Sequence, residues 1–183
     1  MSNIAMQGGA TGTGTVTLLA PSTSTNRTLT LPDAAGTVAL QGGAGVGKVL
    51  QVVNATYSTQ VSTTSASYTS SGLTASITPT SASSKILVIF SAQVFLTSAT
   101  ATSKFQLYRN GSSVRPFEYT AYAGTSPLMT YPTCLYLDSP STTSSTAYTV
   151  YFNSNSGSIN VIFNYTDANG TPVSTITLME IAA

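Results

Sequence analysis

Side chains in this chain change character at every second residue. Along residues 11–18, Thr11, Thr13, Thr15 and Thr17 fall on one side of an extended backbone, and Gly12, Gly14, Val16 and Leu18 fall on the other. Near the far end, Ile159, Val161, Phe163 and Tyr165 line one side of "SINVIFNY" in the same way. That period belongs to strands, whose successive side chains point to opposite faces. No stretch offers the competing amphipathic pattern of a helix, so the sequence predicts an all-β protein.

Composition agrees. Ser (27) and Thr (32) make up close to a third of the 183 residues, while charged residues make up only 6 %, against roughly 25 % in ordinary soluble domains. Thr favours strands and Ser favours turns. Apolar strands recur throughout and the net charge is only +1, which argues against disorder as the source of this bias.

Several function classes fall away. The six Lys and Arg residues stand singly and cannot form a phosphate-binding stripe, so no nucleic-acid partner is expected. The longest aliphatic or aromatic run, Ile86 to Phe90, is too short to span a bilayer, and no membrane insertion is expected. "MSNIAMQGG" at the start has neither the basic nor the apolar region of a signal peptide. Cys134 is the single cysteine and there is no histidine, which excludes an internal disulfide, a Cys/His metal cluster and a His-based triad. No cofactor or metal is expected, and Cys134 reads as a small core residue.

Of the five carboxylates, Asp33 and Asp167 sit in turn sequences, Asp138 at a strand end and Glu180 in the last strand. Only Glu118 has neighbours that suit a sugar site, and the expectation is a protein without catalysis. "GGAGVGKV", residues 42–49, imitates a phosphate-binding loop through Gly42, Gly47 and Lys48. Yet Val49 stands where the loop needs a hydroxyl for Mg²⁺, and residues 48–53, "KVLQVV", read as a strand rather than a helix. It is a glycine joint. Asn-x-Ser/Thr triplets at Asn26, Asn54, Asn110, Asn164 and Asn169 are expected by chance in so hydroxyl-rich a chain.

The joint separates two segments. Residues 1–45 form a β arm in which Thr28-Leu29-Thr30-Leu31 echoes Thr15-Val16-Thr17-Leu18. Strands so short cannot bury a core alone, so the arm needs neighbouring copies or a partner. Residues 46–183 read as a β-sandwich, jelly-roll-like, of about eight strands. Within it Asn110-Gly111 marks a type I′ hairpin. "KILVIFSAQVFL", residues 85–96, reads as a strand covered on both faces, with a bend near Ser91-Ala92.

The segment "GTVTLLAP…NRTLTLPD…GTV" resembles one recurrent in tail-fibre and related virion proteins of bacteriophages, especially phages of cyanobacteria and marine bacteria. "GKVLQVV…STTSASYTSSGLTASITPTSASSKILVIFSAQV", with the ending "TITLMEIAA", resembles the C-terminal domain often found behind it. The resemblance implies a homotrimeric, non-enzymatic fibre protein exposed on the virion and assembled in the host cytoplasm. Residues 1–45 would bind other virion proteins, at the tail and baseplate or at the capsid. A short tail fibre that binds a receptor is the leading expectation; a head fibre or capsid-decoration protein is the alternative. For a host-surface glycan, residues 115–132 offer Arg115, Phe117, Glu118, Tyr119, Tyr122 and Tyr131. Rings stack on sugar faces while charged groups fix orientation.

Overall fold

Twelve strand segments, paired antiparallel, and no helix occur among the described residues. The structure is a computed structural model, and it describes residues 47–98, 101–117, 127–155, 157–168 and 170–183. The expected arm and its boundary at residue 45 lie outside these.

One sheet orders its strands β1 (Val49–Tyr57), β12 (Ser174–Ile181), β4 (Lys85–Ser91) and β9 (Thr133–Asp138). A second orders them β3 (Thr69–Ile77), β10 (Thr146–Ser154), β6 (Ser103–Arg109) and β7 (Ser112–Phe117). The third is shorter: β2 (Val61–Thr63), β11 (Val161–Phe163), β5 (Val94–Leu96) and β8 (Leu128–Thr130). Its order repeats that of the first sheet, because each of its strands continues a first-sheet strand past an interruption of the ladder. β1 runs on into β2, β4 into β5, β8 into β9 and β11 into β12. Counted once each, the continued strands and the second sheet make eight strands in two layers, with jelly-roll connectivity.

The layers close on one core. Leu73, Ala75 and Ile77 from β3, Phe105 and Leu107 from β6, and Tyr148, Val150 and Phe152 from β10 meet Ile86, Val88 and Phe90 from β4 and Ile176 and Leu178 from β12. Each large apolar side chain buried this way contributes about 1.5–3 kcal/mol relative to exposure. Cys134 is buried among them, and burial pushes its thiol up to about 12 despite the nearby positive charge of Arg115. The hairpin at Asn110-Gly111 is present, with φ of 48° and 80° as a type I′ turn requires.

The bend expected near Ser91-Ala92 in "KILVIFSAQVFL" is present, since the run breaks at Ala92 and Gln93 into β4 and β5. The expected cover on both faces is not, because only one face is fully buried within the chain. Ile86, Val88 and Phe90 enter the core, whereas Leu87 and Ile89 remain half-buried on the outer face. An apolar run cannot by itself say whether both faces find cover in the same chain.

The breaks are held by a buried polar knot. Gln93 (4 % exposed), Asn164 (0 %) and Ser174 (0 %) meet where the strands bend. The Asn164 backbone N–H donates to the Gln93 carbonyl at 2.9 Å, and the Tyr165 N–H donates to Gln93 Oε1 at 2.8 Å. Ser174 Oγ donates to Asn164 Oδ1 at 2.6 Å and accepts from the Gln93 N–H at 3.2 Å. Asn164 Nδ2 reaches the Tyr57 carbonyl at 2.8 Å, and the Ala92 N–H reaches the Pro132 carbonyl at 3.0 Å. All four bends are therefore tied together, and backbone groups that a broken ladder would orphan are satisfied. Asn164 holds φ of 54°, a left-handed conformation that asparagine tolerates better than most residues.

Gly72 is the other special position. Its φ is +83°, and a Cβ there would overlap the Tyr57 ring. The Gly72→Ala protein combines backbone strain with that clash, and should lose about 2–4 kcal/mol of stability. Chemical denaturation of the two proteins checks this; unchanged stability would mean that neither the left-handed backbone nor the Tyr57 contact holds at this position.

Candidate functional site

Beyond the bends, the outer face of the third sheet carries the adjacent residues Ile162, Phe95 and Met129 across β11, β5 and β8. The chain leaving β11 places Tyr165 over this face, its ring stacked on Phe95 at 4.3 Å between centroids and 19° between planes. From the other side, the turn between β8 and β9 presents Tyr131, 63 % exposed, beside Met129. Met129, Tyr131 and Tyr165, with Gln93, Asp167 and Pro172, line an open groove of about 390 Å³. Its far wall is a small turn in which Asp167 and Gly170 exchange backbone hydrogen bonds of 3.3 and 3.2 Å.

The groove is partly pre-formed. Tyr165 is fixed by its stack on Phe95 and by its backbone bond to the Gln93 side chain. Tyr131 makes a hydroxyl contact to Met129 Sδ at 3.4 Å and is 63 % exposed. Two tyrosine rings, a carboxylate and an amide around a shallow, open concavity are groups that recognise a sugar: rings for the C–H face, polar groups for the hydroxyls.

Of the candidates among the described residues, Arg115, Phe117 and Tyr131, only Tyr131 lines this groove. Phe117 packs edge-on against Phe90 (5.9 Å) and Tyr136 (6.5 Å), on the side of β7 that faces the core. Arg115 caps this cluster, its guanidinium 5.8 Å from the Phe117 ring and 5.7 Å from that of Tyr136. Glu118, Tyr119 and Tyr122 lie outside the described residues. Sequence reasoning does not reach Tyr165 and Gln93. The alternation expected to keep Tyr165 on the side of Val161 and Phe163 fails there: those two enter the core, while the chain turns at Asn164 (φ 54°) and sets the Tyr165 ring on Phe95 of the outer face.

Two carboxylates are structural. Asp138 is buried, and its Oδ2 accepts from Arg109 Nη1 and from the Tyr148 hydroxyl, each at 2.7 Å. Burial, then the Asp138 carboxylate, push the Tyr148 hydroxyl far above its usual range. Glu180 is fully buried. Its oxygens accept from Gln51 Nε2 at 2.6 Å, the Thr80 N–H at 2.8 Å and Thr80 Oγ1 at 2.7 Å. Among the described residues no group of His, Cys, Asp and Glu could hold a metal ion. At the glycine joint, Gly47 (φ 84°) donates to the Ala182 carbonyl at 2.9 Å and β1 starts at Val49. Among the described residues the joint leads into a strand, not into a helix whose N-terminus could hold a phosphate.

No family model and no curated protein matches this chain. Among solved structures, it is similar to dimeric latent PorU from Porphyromonas gingivalis at 12 % identity with a TM-score of 0.26. That alignment covers 77 % of this chain and 14 % of PorU, and a likeness so weak carries no inference about fold or function.

The buried Glu180 makes stability depend on pH. Burial alone would raise its carboxyl, but the hydrogen bonds from Gln51 and Thr80 outweigh it and hold the folded-state pKa at about 2, against an ordinary value of 4.5. The stabilisation is therefore full above about pH 4.5 and is lost as pH falls towards 2, an effect of about 3 kcal/mol. Denaturation of the Glu180→Gln protein should show lower stability at pH 7 and a flatter profile between pH 4.5 and 2. Parallel profiles for the two proteins would contradict the assignment.

Proposed function

We propose that this chain is a non-enzymatic structural protein of a bacteriophage virion, a short tail fibre whose jelly-roll head binds a glycan on the host surface. Residues 1–45 attach it to other virion proteins, and it works as a homotrimer. The observation that carries the reading is the groove at the bend. Its exposed Tyr131, its fixed Tyr165 and the Asp167 turn suit a sugar, while Asp138 and Glu180 are engaged in structural hydrogen bonds. Weak single sites suit such a role, because a trimer converts them into avid attachment.

Tyr131→Ala tests this. The ring is 63 % exposed, so thermal stability should stay at the wild-type value. Losing one stacking platform costs about 1 kcal/mol per subunit, roughly fivefold in single-site affinity, and more in attachment of the whole trimer. Adsorption of the phage to its host, or of purified protein to host cells, should fall accordingly. Unchanged adsorption, with the protein located on the capsid by cryo-EM of the particle, would replace this reading with capsid decoration.

A further inference from the structure

The two outer faces of the sandwich differ in chemistry. On the second sheet, the row across β3, β10, β6 and β7 is Thr74, Thr149, Tyr108 and Ser113. Thr74 and Thr149 hydrogen-bond each other at 2.9 Å. It is a hydroxyl surface, suited to water. On the first sheet, the row across β1, β12, β4 and β9 is Val52, Met179, Leu87 and Leu137. The next row is Asn54, Thr177, Ile89 and Leu135. Val52 is 55 %, Leu135 70 % and Leu137 47 % exposed. Neither row holds a charge, and nothing among the described residues covers them. Towards the bend the face turns polar again, with Thr56, Thr175, Ser91 and Thr133. A contiguous apolar patch of this kind marks an interaction surface rather than scattered exposure.

We infer that this face is the contact between copies of the chain, an inference that rests on the trimeric reading above. Charge and chain geometry both name a second copy as the occupant. A partner must bring an uncharged, hydrocarbon-bearing surface, and the same rows on another copy supply one. The 46 residues outside the described head enter at Gly47, which is pinned to the end of β12 by the Gly47–Ala182 bond. They therefore join the head at the end of this face opposite the bend, next to the exposed Val49 and Leu50 and to the edge row of Ile181 and the charged Lys85. Copies packed through it bring these segments together, which is what an arm too poor in apolar residues to stand alone requires. One alternating strand such as residues 11–18, with two large apolar side chains, is too narrow to cover rows four strands wide. The groove lies beyond the hydroxyl row, on the continuation of the sheet past the bend, and stays free for a ligand.

The test places the photo-crosslinking residue p-benzoylphenylalanine at position 137 of the full-length protein, and at position 74 as control. Light scattering on the wild type gives the subunit number independently. The expected result is covalent dimers and trimers on a denaturing gel from position 137 only, with links that map to β1, β4, β9 or β12 of another copy. Links from 137 only to residues 1–46 of the same chain would overturn the inference, as would a trimer by light scattering with no link from 137. A monomeric wild type would overturn the trimeric reading and this inference together.

Discussion

Four strands of one layer of this jelly roll break at the same level, and a broken ladder leaves backbone groups without partners in a region where water is excluded. The Gln93, Asn164 and Ser174 side chains resolve that problem, since each makes at least one hydrogen bond to a group that the break leaves unpaired or to another member of the knot. Apolar replacements at these positions would leave buried donors and acceptors unmet, at about 1–3 kcal/mol for each. The head depends on this knot twice. It lets one layer bend over the core, and it fixes the backbone from which Tyr165 reaches the outer face. The groove is thus a consequence of how the sheet bends.

Low charge shapes the rest. With only 6 % charged residues, the chain keeps water on its second-sheet face through threonine, serine and tyrosine. The first-sheet face is hydrocarbon at one end and hydroxyl-bearing near the bend. The carboxylates and cations of the head that do interact are mostly drawn inward: Arg109 to Asp138, and Glu180 to Gln51 and Thr80.

The sequence made the strands legible because alternation and glycine or asparagine turns are local signals. The all-β class, the hairpin at Asn110-Gly111 and the burial of Cys134 rest on residues within a few positions of one another. The outer-face position of Leu87 and Ile89 was not legible, because it depends on what lies across the sheet from an apolar run. Nor was the groove. Tyr131 and Tyr165 come from turns 34 residues apart, brought together by strand order. Phe117 shows the converse: an aromatic residue in a sugar-like stretch can be drawn to the core when its register partner, here Phe105, is itself buried.

Amide hydrogen exchange of the intact protein tests the central claim, that a buried polar knot holds the bend and pre-forms the groove. The Asn164 and Tyr165 amides, outside any strand, donate to Gln93. They should exchange as slowly as core amides of β4 and β12, at a rate set by global unfolding. Exchange of these two amides at the fast rate of open surface turns, with the core strands still protected, would show that the bend opens on its own and would contradict the account.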